Sequence, residues 1–316
     1  MRIFLAGATG ILGRKLLSKL LDHGHTVFGT TNTQSKLNEL RQLGANPVLV
    51  DGLDRDSVFS AVSAAAPDVV VNEMTALSRV RNYRNFDQEF ALTNRLRGEG
   101  TSHLLAASRQ YGVRKIVVQS FAGWPFEQTA ALANSEDSDF EPRIPVRMRQ
   151  SQGAIQTMEK IVLSRKPPVG VVLRYGYFYG PGTSFYVEGE ISKALRRRAF
   201  PLIGGGTGVW SLIHVEDAAE ATRLAIESAP GGIYNIVDDR PTKLGEWLPG
   251  LAELLKVKRP MNVPAWLGRF FVGESGLYLM TQARGALNVK AKRVLGWSPV
   301  YPDWRKGFAA TLRKAS

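Results

Sequence analysis

The residues with the most specific chemistry lie at the start of the chain, Gly7-Ala8-Thr9-Gly10-Ile11-Leu12-Gly13. The glycines stand at G-x-x-G-x-x-G spacing. They follow an apolar run, Ile3–Ala6, and open a helical pattern from Ile11 to His23 with Leu12, Leu16, Leu17, Leu20 and Leu21 as its apolar positions. A dinucleotide pyrophosphate demands this context. The first glycine makes the tight turn, the second lets phosphate approach the backbone, and the third lets helix and sheet pack closely. The helix start adds unpaired N–H groups and the positive end of its dipole. Gly7, Thr9, Gly10, Ile11, Leu12 and Gly13 are therefore candidate phosphate-binding residues; the bland alternative is a tight strand–helix turn.

The second strand bears on which dinucleotide is held. A carboxylate there would take the ribose 2′-hydroxyl of NAD. The segment Thr26-Val27-Phe28-Gly29-Thr30-Thr31-Asn32-Thr33 has none. Thr31 and Asn32 offer hydrogen bonds, and Arg14 and Lys36 could meet a 2′-phosphate, so NADP is favoured over NAD.

The elements that must position these residues alternate. Strands are expected near Ile3–Ala6, Thr26–Gly29, Pro47–Val50, Asp68–Asn72, Lys115–Gln119, Val169–Arg174 and Ile233–Val237. Helical patterns fill the gaps: Ile11–His23, Ser35–Leu43, Asp54–Ala65 with Asp54 as cap, a long stretch from Phe86 to Tyr111, and Arg149–Ser164. Continuous Val/Ile strands separated by helices predict α/β architecture, a doubly wound parallel sheet with a small C-terminal substrate-binding part. The expected division is residues 1–177 and 209–237 for the dinucleotide-binding domain, with 178–208 and 238–316 for the smaller one. The acidic stretch Glu127–Glu141 reads as a long loop or lid.

Composition bounds the rest. The 316 residues carry a net charge of +13 and no cysteine. Disulfides, a cysteine nucleophile and Cys-ligated metal are excluded. No histidine pair has ligand spacing with a carboxylate, so no metal is expected. The basic residues are scattered, and no nucleic-acid module is visible, so a solvated basic surface is expected and nucleic acid is not. No apolar run reaches the roughly 18 residues of a membrane span, and the N-terminus lacks a signal-type apolar region. A cytoplasmic protein without a membrane partner is expected.

Six segments in order resemble the extended short-chain dehydrogenase/reductase superfamily, in its NAD-dependent epimerase/dehydratase branch. Besides the glycine turn they are Asp51-Gly52-Leu53, Asn94 followed by Gly100-Thr101, Arg174–Pro181 (RYGYFYGP), His214–Ala219 (HVEDAA) and Leu295–Pro299 (LGWSP), with Ser120 ending strand five. The resemblance implies a Rossmann fold and a small-molecule substrate, and makes a homodimer usual. It assigns Asp51, Gly52, Leu53, Met74, Thr75, Asn94, Gln119, Tyr175, Tyr177 and Phe178 to the cofactor's surroundings, and Ser120 to the active site. It also implies a Tyr-x-x-x-Lys pair on the helix after strand five. There the sequence departs: Ser151 and Ile155 take those places, and Lys160 falls on the wrong face. Tyr111/Lys115 has the spacing but straddles a helix end before strand five.

The chemistry that remains centres on Ser120, a hydrogen-bond donor to a substrate oxygen, and on Tyr177, a replacement proton donor or an aromatic wall. Arg147, Arg149 and Arg196–Arg198 are candidates for an anionic substrate group or for plain solvated charge. Trp247, Trp266, Phe270, Phe271, Tyr278 and Met280 form either a small core or a substrate cleft. The leading expectation is an NAD(P)-dependent oxidoreductase or epimerase-like enzyme on a small organic or glycosyl carbonyl or hydroxyl compound. The alternatives are a non-redox isomerase, dehydratase or cyclase on the same scaffold, and a non-catalytic NADP sensor.

Overall fold

In the computed structural model, residues 1–80, 82–127, 131–164 and 166–315 are described. Seven strands form one sheet: β1 (Arg2–Ala6), β2 (Thr26–Thr31), β3 (Asn46–Leu49), β4 (Val69–Asn72), β5 (Lys115–Phe121), β6 (Val169–Tyr175) and β7 (Gly232–Ile236). Their order is β7-β6-β5-β4-β1-β2-β3, and every pair is parallel. The chain reverses its direction of winding between β1 and β4. Ligands of open α/β sheets bind outside the strands' carboxyl ends at such a point.

Both faces of the sheet are covered, as its unbroken Val/Ile strands require. On one side lie α1 (Ile11–Asp22) and α6 (Val215–Ser228), packed over Ile3, Leu5, Val71, Val117 and Leu173. On the other lie α3 (Arg55–Ala65), α4 (Thr101–Gln110) and α5 (Arg149–Val162), packed over Phe4, Val70, Ile116, Val118 and Val172. Alternate residues of one strand thus enter different cores. A short helix, α2 (Leu37–Gln42), links β2 to β3. Asp54 caps α3 as expected, its carboxylate accepting from the amides of Asp56 and Ser57.

The long helix expected from Phe86 to Tyr111 is not continuous. It is broken into Phe86–Glu89, Ala91–Arg95, a π-helical turn at Leu96–Gly100, and α4. Gly98 and Gly100 weaken the regular helix there, and such turns are frequent at functional sites.

A second core gathers Tyr179, Trp210, Trp247, Tyr278, Met280, Trp304 and Phe308. The expected C-terminal aromatic cluster is split: Trp247, Tyr278 and Met280 are inside, whereas Trp266, Phe270 and Phe271 lie exposed on the helix Ala265–Thr281. The HVEDAA and LGWSP segments lock together. The Asp217 carboxylate accepts from the amides of Val300 and Tyr301, and the Trp297 indole donates to the Asp217 carbonyl. His214 caps α6 by accepting from the Glu216 amide. In the acidic loop, residues 128–130 lie outside the described residues. The remainder is held down: Ala133–Asn134 pairs with Gly285–Ala286, and the Glu136 carboxylate accepts from the Asn235 amide.

Candidate active site

The glycine turn sits at the carboxyl end of β1. Gly7 has φ +88°, a conformation that favours glycine, and a Cβ there would stand 2.7 Å from the Glu73 carbonyl. A Cβ on Gly13 would run into the Gly7 carbonyl and the Ala8 backbone, so α1 packs against the turn with no spare room. Gly10 is the N-cap of α1 and has no side chain to cap it. The first-turn amides of Ile11, Leu12 and Gly13 are therefore left to a ligand, and an anion suits them. A pyrophosphate fits this cradle.

The neighbouring loops follow the carboxyl ends of β2 and β3. Thr31 is buried at the end of β2, with its hydroxyl accepting from the Thr33 amide, and Asn32 is exposed beside it. Arg14 is ion-paired with Glu39, whose carboxyl is held below the usual range first by that hydrogen bond and also by the nearby charge of Lys36. Asp51 forms a local turn, accepting from the Leu53 amide at 2.9 Å. Gly52 lies under Met74; a Cβ on it would touch the Met74 sulfur at 2.5 Å. The structure thus brings Asp51, Gly52, Leu53, Met74 and Thr75 together at the carboxyl ends of β3 and β4.

The remaining candidate residues lie at the carboxyl ends of β4, β5 and β6 and on α5, whose sequence carries no tyrosine and one lysine, Lys160. Ser151 is buried and accepts from Asn94 Nδ2 at 2.9 Å while donating to Asp87 at 2.6 Å. One turn on, Ile155 is fully buried, and Lys160 is exposed. The Tyr111 ring meets Phe59, whereas Lys115 Nζ donates to the carbonyls of Ala225 and Ile226, so these two share no site.

Ser120 departs from the expectation. Its hydroxyl donates to Glu159 at 2.7 Å, and both groups are buried. Glu159 also takes a two-pronged contact from Arg174, at 2.9 and 2.6 Å, and Arg174 reaches on to the Glu136 carbonyl and lies 4.0 Å from the Phe126 ring centroid. The register explains this. Ser120 pairs with Arg174 across β5 and β6, so both side chains point to the α5 face. Its proton is engaged by a carboxylate instead of facing a substrate.

Tyr175 is corrected in the same way. Its hydroxyl is buried between Glu73, at 3.1 Å, and Thr222, at 2.7 Å, beneath the glycine turn. Burial pushes the Glu73 carboxyl up to about 8, countered by the Tyr175 hydrogen bond. Gln119 Nε2 is buried without a partner among the described residues, a donor left for a ligand.

Tyr177 and Phe178 follow the strand end. Tyr177 is stacked on Trp210, with centroids 4.1 Å apart and planes 14° apart, and meets Phe121 edge-on at 5.0 Å. Enclosure pushes its phenol well above the ordinary value, with the Tyr83 hydroxyl adding to the effect. Phe178 leans on Tyr175 at 5.3 Å. Phe121, Trp124, Tyr177 and Trp210 make an aromatic wall, extended by the stacked pair Phe86 and Phe90. The candidate substrate arginines are elsewhere engaged or solvated: Arg147 donates to the Arg84 carbonyl and to Asn85, and Arg196–Arg198 are exposed.

Sequence reasoning did not single out Glu73, Asp87 or Glu159, to which the structure ties Tyr175, Ser151 and Ser120. Glu159 had a signal. It lies four residues beyond Ile155 and three before Val162, on the apolar stripe of α5, where an acid must be paired.

Comparison with known proteins bears on the family and the fold. Residues 3–237 match the NAD dependent epimerase/dehydratase family. The chain is 38% identical over 308 residues to the 3-diazoavenalumate denitrifying reductase of a Streptomyces species, covering 98% of this chain and 99% of that protein. It is 29% identical over 307 residues to the 4-hydroxy-2-methyl-3-oxo-4-farnesyl-3,4-dihydroquinoline-1-oxide ketoreductase of Stigmatella aurantiaca, covering 94% and 87%. Among solved structures, the UDP-glucose 4-epimerase of Thermotoga maritima superposes with TM-score 0.78 at 23% identity, covering 100% and 99%, a likeness of fold. With its glycine turn and sheet order in place, this chain belongs to the NAD-dependent epimerase/dehydratase family and is an enzyme of the oxidoreductase type.

Proposed function

We propose that the chain is a nicotinamide-dependent reductase, using NADPH in preference to NADH, that delivers hydride to an electron-poor aromatic substrate without a tyrosine–lysine proton relay. The observation that carries this is the face of α5, which offers Ser151 and Ile155 beside an aromatic wall. When bound, the reduced nicotinamide supplies the hydride. The protein's own residues hold its phosphates at Gly7–Gly13, flank the adenosine end with Thr31, Asn32 and Asp51, and enclose a flat substrate with Phe121, Trp124, Tyr177 and Trp210. The lack of a carboxylate at the end of β2, with Arg14 and Lys36 nearby, supports NADPH.

The proton balance narrows the substrate. Reducing a ketone leaves an alkoxide that must be protonated, and an enclosed phenol such as Tyr177 gives up its proton reluctantly. Hydride delivery to an aryldiazonium would give a neutral aryldiazene; loss of dinitrogen breaks its C–N bond as the N–H hydrogen passes to the ring carbon, so the arene forms with no net proton consumed. The 38% identity to a denitrifying reductase of a diazo compound supports the second chemistry. The test follows NADPH absorbance with substituted benzenediazonium salts and with aryl ketones, subtracting the enzyme-free rate and identifying products by mass spectrometry. Saturable NADPH oxidation that yields the arene is expected. Turnover confined to ketones, and abolished in Tyr177→Phe, would restore Tyr177 as the acid and overturn this reading.

A further inference from the structure

The π-helical turn Leu96–Gly100 places a charge where the expected catalytic helix has none. Thr93, just before it, accepts from the Ala76 amide at 3.1 Å, and Thr101, just after it, accepts from Asn72 Nδ2 at 3.0 Å. Both threonines therefore face the carboxyl end of β4. Arg97 lies midway, four residues from each, on the same helical face. Its side chain is 6% exposed, and its Nε and Nη1 are buried without a partner among the described residues. One turn before it, Asn94 Oδ1 is likewise buried and unpaired. Burial pushes the guanidinium down to about 10, and the charge of Glu159 counters this, so Arg97 remains a cation at neutral pH. Glu159 is itself engaged with Ser120 and Arg174 and makes no hydrogen bond to Arg97.

A buried cation with two idle donors is costly unless something accepts from it. The sheet order says what comes within reach. Gly7, Thr31 and Asp51 would put the adenosine half over β1, β2 and β3, so the nicotinamide half would extend over β4 and β5, the end at which Thr93 and Thr101, on either side of Arg97, are hydrogen-bonded. The turn carrying Arg97 packs against α5, whose Ile155 offers no polar atom there. We propose that Arg97 is the cation of this site, donating through Nε and Nη1 to hydroxyl oxygens of the nicotinamide-half ribose, with Asn94 Oδ1 accepting beside it. The inference rests on the nicotinamide reading given above. It moves the cation from α5, which presents Ser151 and Ile155, to the neighbouring helical segment.

The test compares whole dinucleotide with its adenosine half by calorimetry, using the full-length wild type, Arg97→Met and Arg97→Lys. NADPH and 2′,5′-ADP are the probes, with NADH and ADP as the second pair. Arg97→Met is expected to lose at least tenfold in affinity for the dinucleotide and to bind the adenosine fragment as the wild type does. Unchanged fragment binding also shows that the variant is folded. Arg97→Lys is expected to recover part of the loss. Equal loss on both probes would make Arg97 merely structural, and no loss on either would place it away from the ribose; both overturn the proposal. A wild type that binds the fragment and no dinucleotide more tightly would sink it as well. A wild type that binds neither probe would sink the nicotinamide reading together with it.

Discussion

Glu73 should make the stability of this protein fall as pH rises through neutrality. Its carboxyl is enclosed beneath the glycine turn, and its one described side-chain partner is the Tyr175 hydroxyl. Burial raises it from 4.5 to about 8. The folded chain therefore keeps a proton that the unfolded chain has already released. Stability from this group is fully present below about pH 4.5 and is lost as pH climbs through about 8. The slope is about 1.4 kcal/mol per pH unit, and the whole window amounts to roughly 5 kcal/mol. Domains are commonly stable by only about 5–15 kcal/mol, so the effect should be plain. Glu73→Gln keeps the shape and the acceptor for Tyr175 but carries no charge at any pH. Urea unfolding of both proteins by tryptophan fluorescence, at several pH values from about 5 to 9, isolates the term as a difference. The two should be similar near pH 5, with the variant increasingly the more stable toward pH 8 and the gap constant above it. A gap independent of pH, or one that closes as pH rises, would refute the argument that Glu73 is folded into its site as a neutral acid.

Arg174→Met should cost about 3–5 kcal/mol, because it leaves Glu159 buried with only Ser120 donating to it, and the double variant Glu159→Gln/Arg174→Met should lose less than the single one. Equilibrium denaturation reads both. Gly13→Val drives a side chain into the Gly7 carbonyl; overpacking of about 1–3 kcal/mol should weaken NADPH binding at least about tenfold in calorimetry. Tyr177→Phe keeps the stack on Trp210 and should alter kcat by no more than about twofold, whereas loss of a general acid would cost about a hundredfold or more. Asp217→Asn weakens the acceptor that ties Val300 and Tyr301 to α6 and should lower the thermal midpoint without changing dinucleotide affinity.

The amino-acid sequence by itself determined the alternation of strands and helices, because Val/Ile runs and leucine periodicity are local signals. It also determined the glycine turn, since only glycine tolerates the φ of Gly7 and the contact at Gly13. The Asp54 cap was equally legible there. What only the tertiary structure decided is where the isolated charges go. Ser120 reads as a strand-end hydroxyl free for substrate; the β5–β6 register turns it onto Glu159 and Arg174. Tyr175 and Tyr177 are two residues apart and look alike. Tyr175 is drawn between Glu73 and Thr222, while Tyr177, beyond the sheet, stacks on Trp210. Arg97 sits in what reads as one continuous helix; the structure has a π-turn there, packed against α5, and buries Arg97 within it. Strand period and helical phase are written along the chain. The partner of a buried charge lies 15 to 102 residues away in these cases, and no local pattern encodes that pairing.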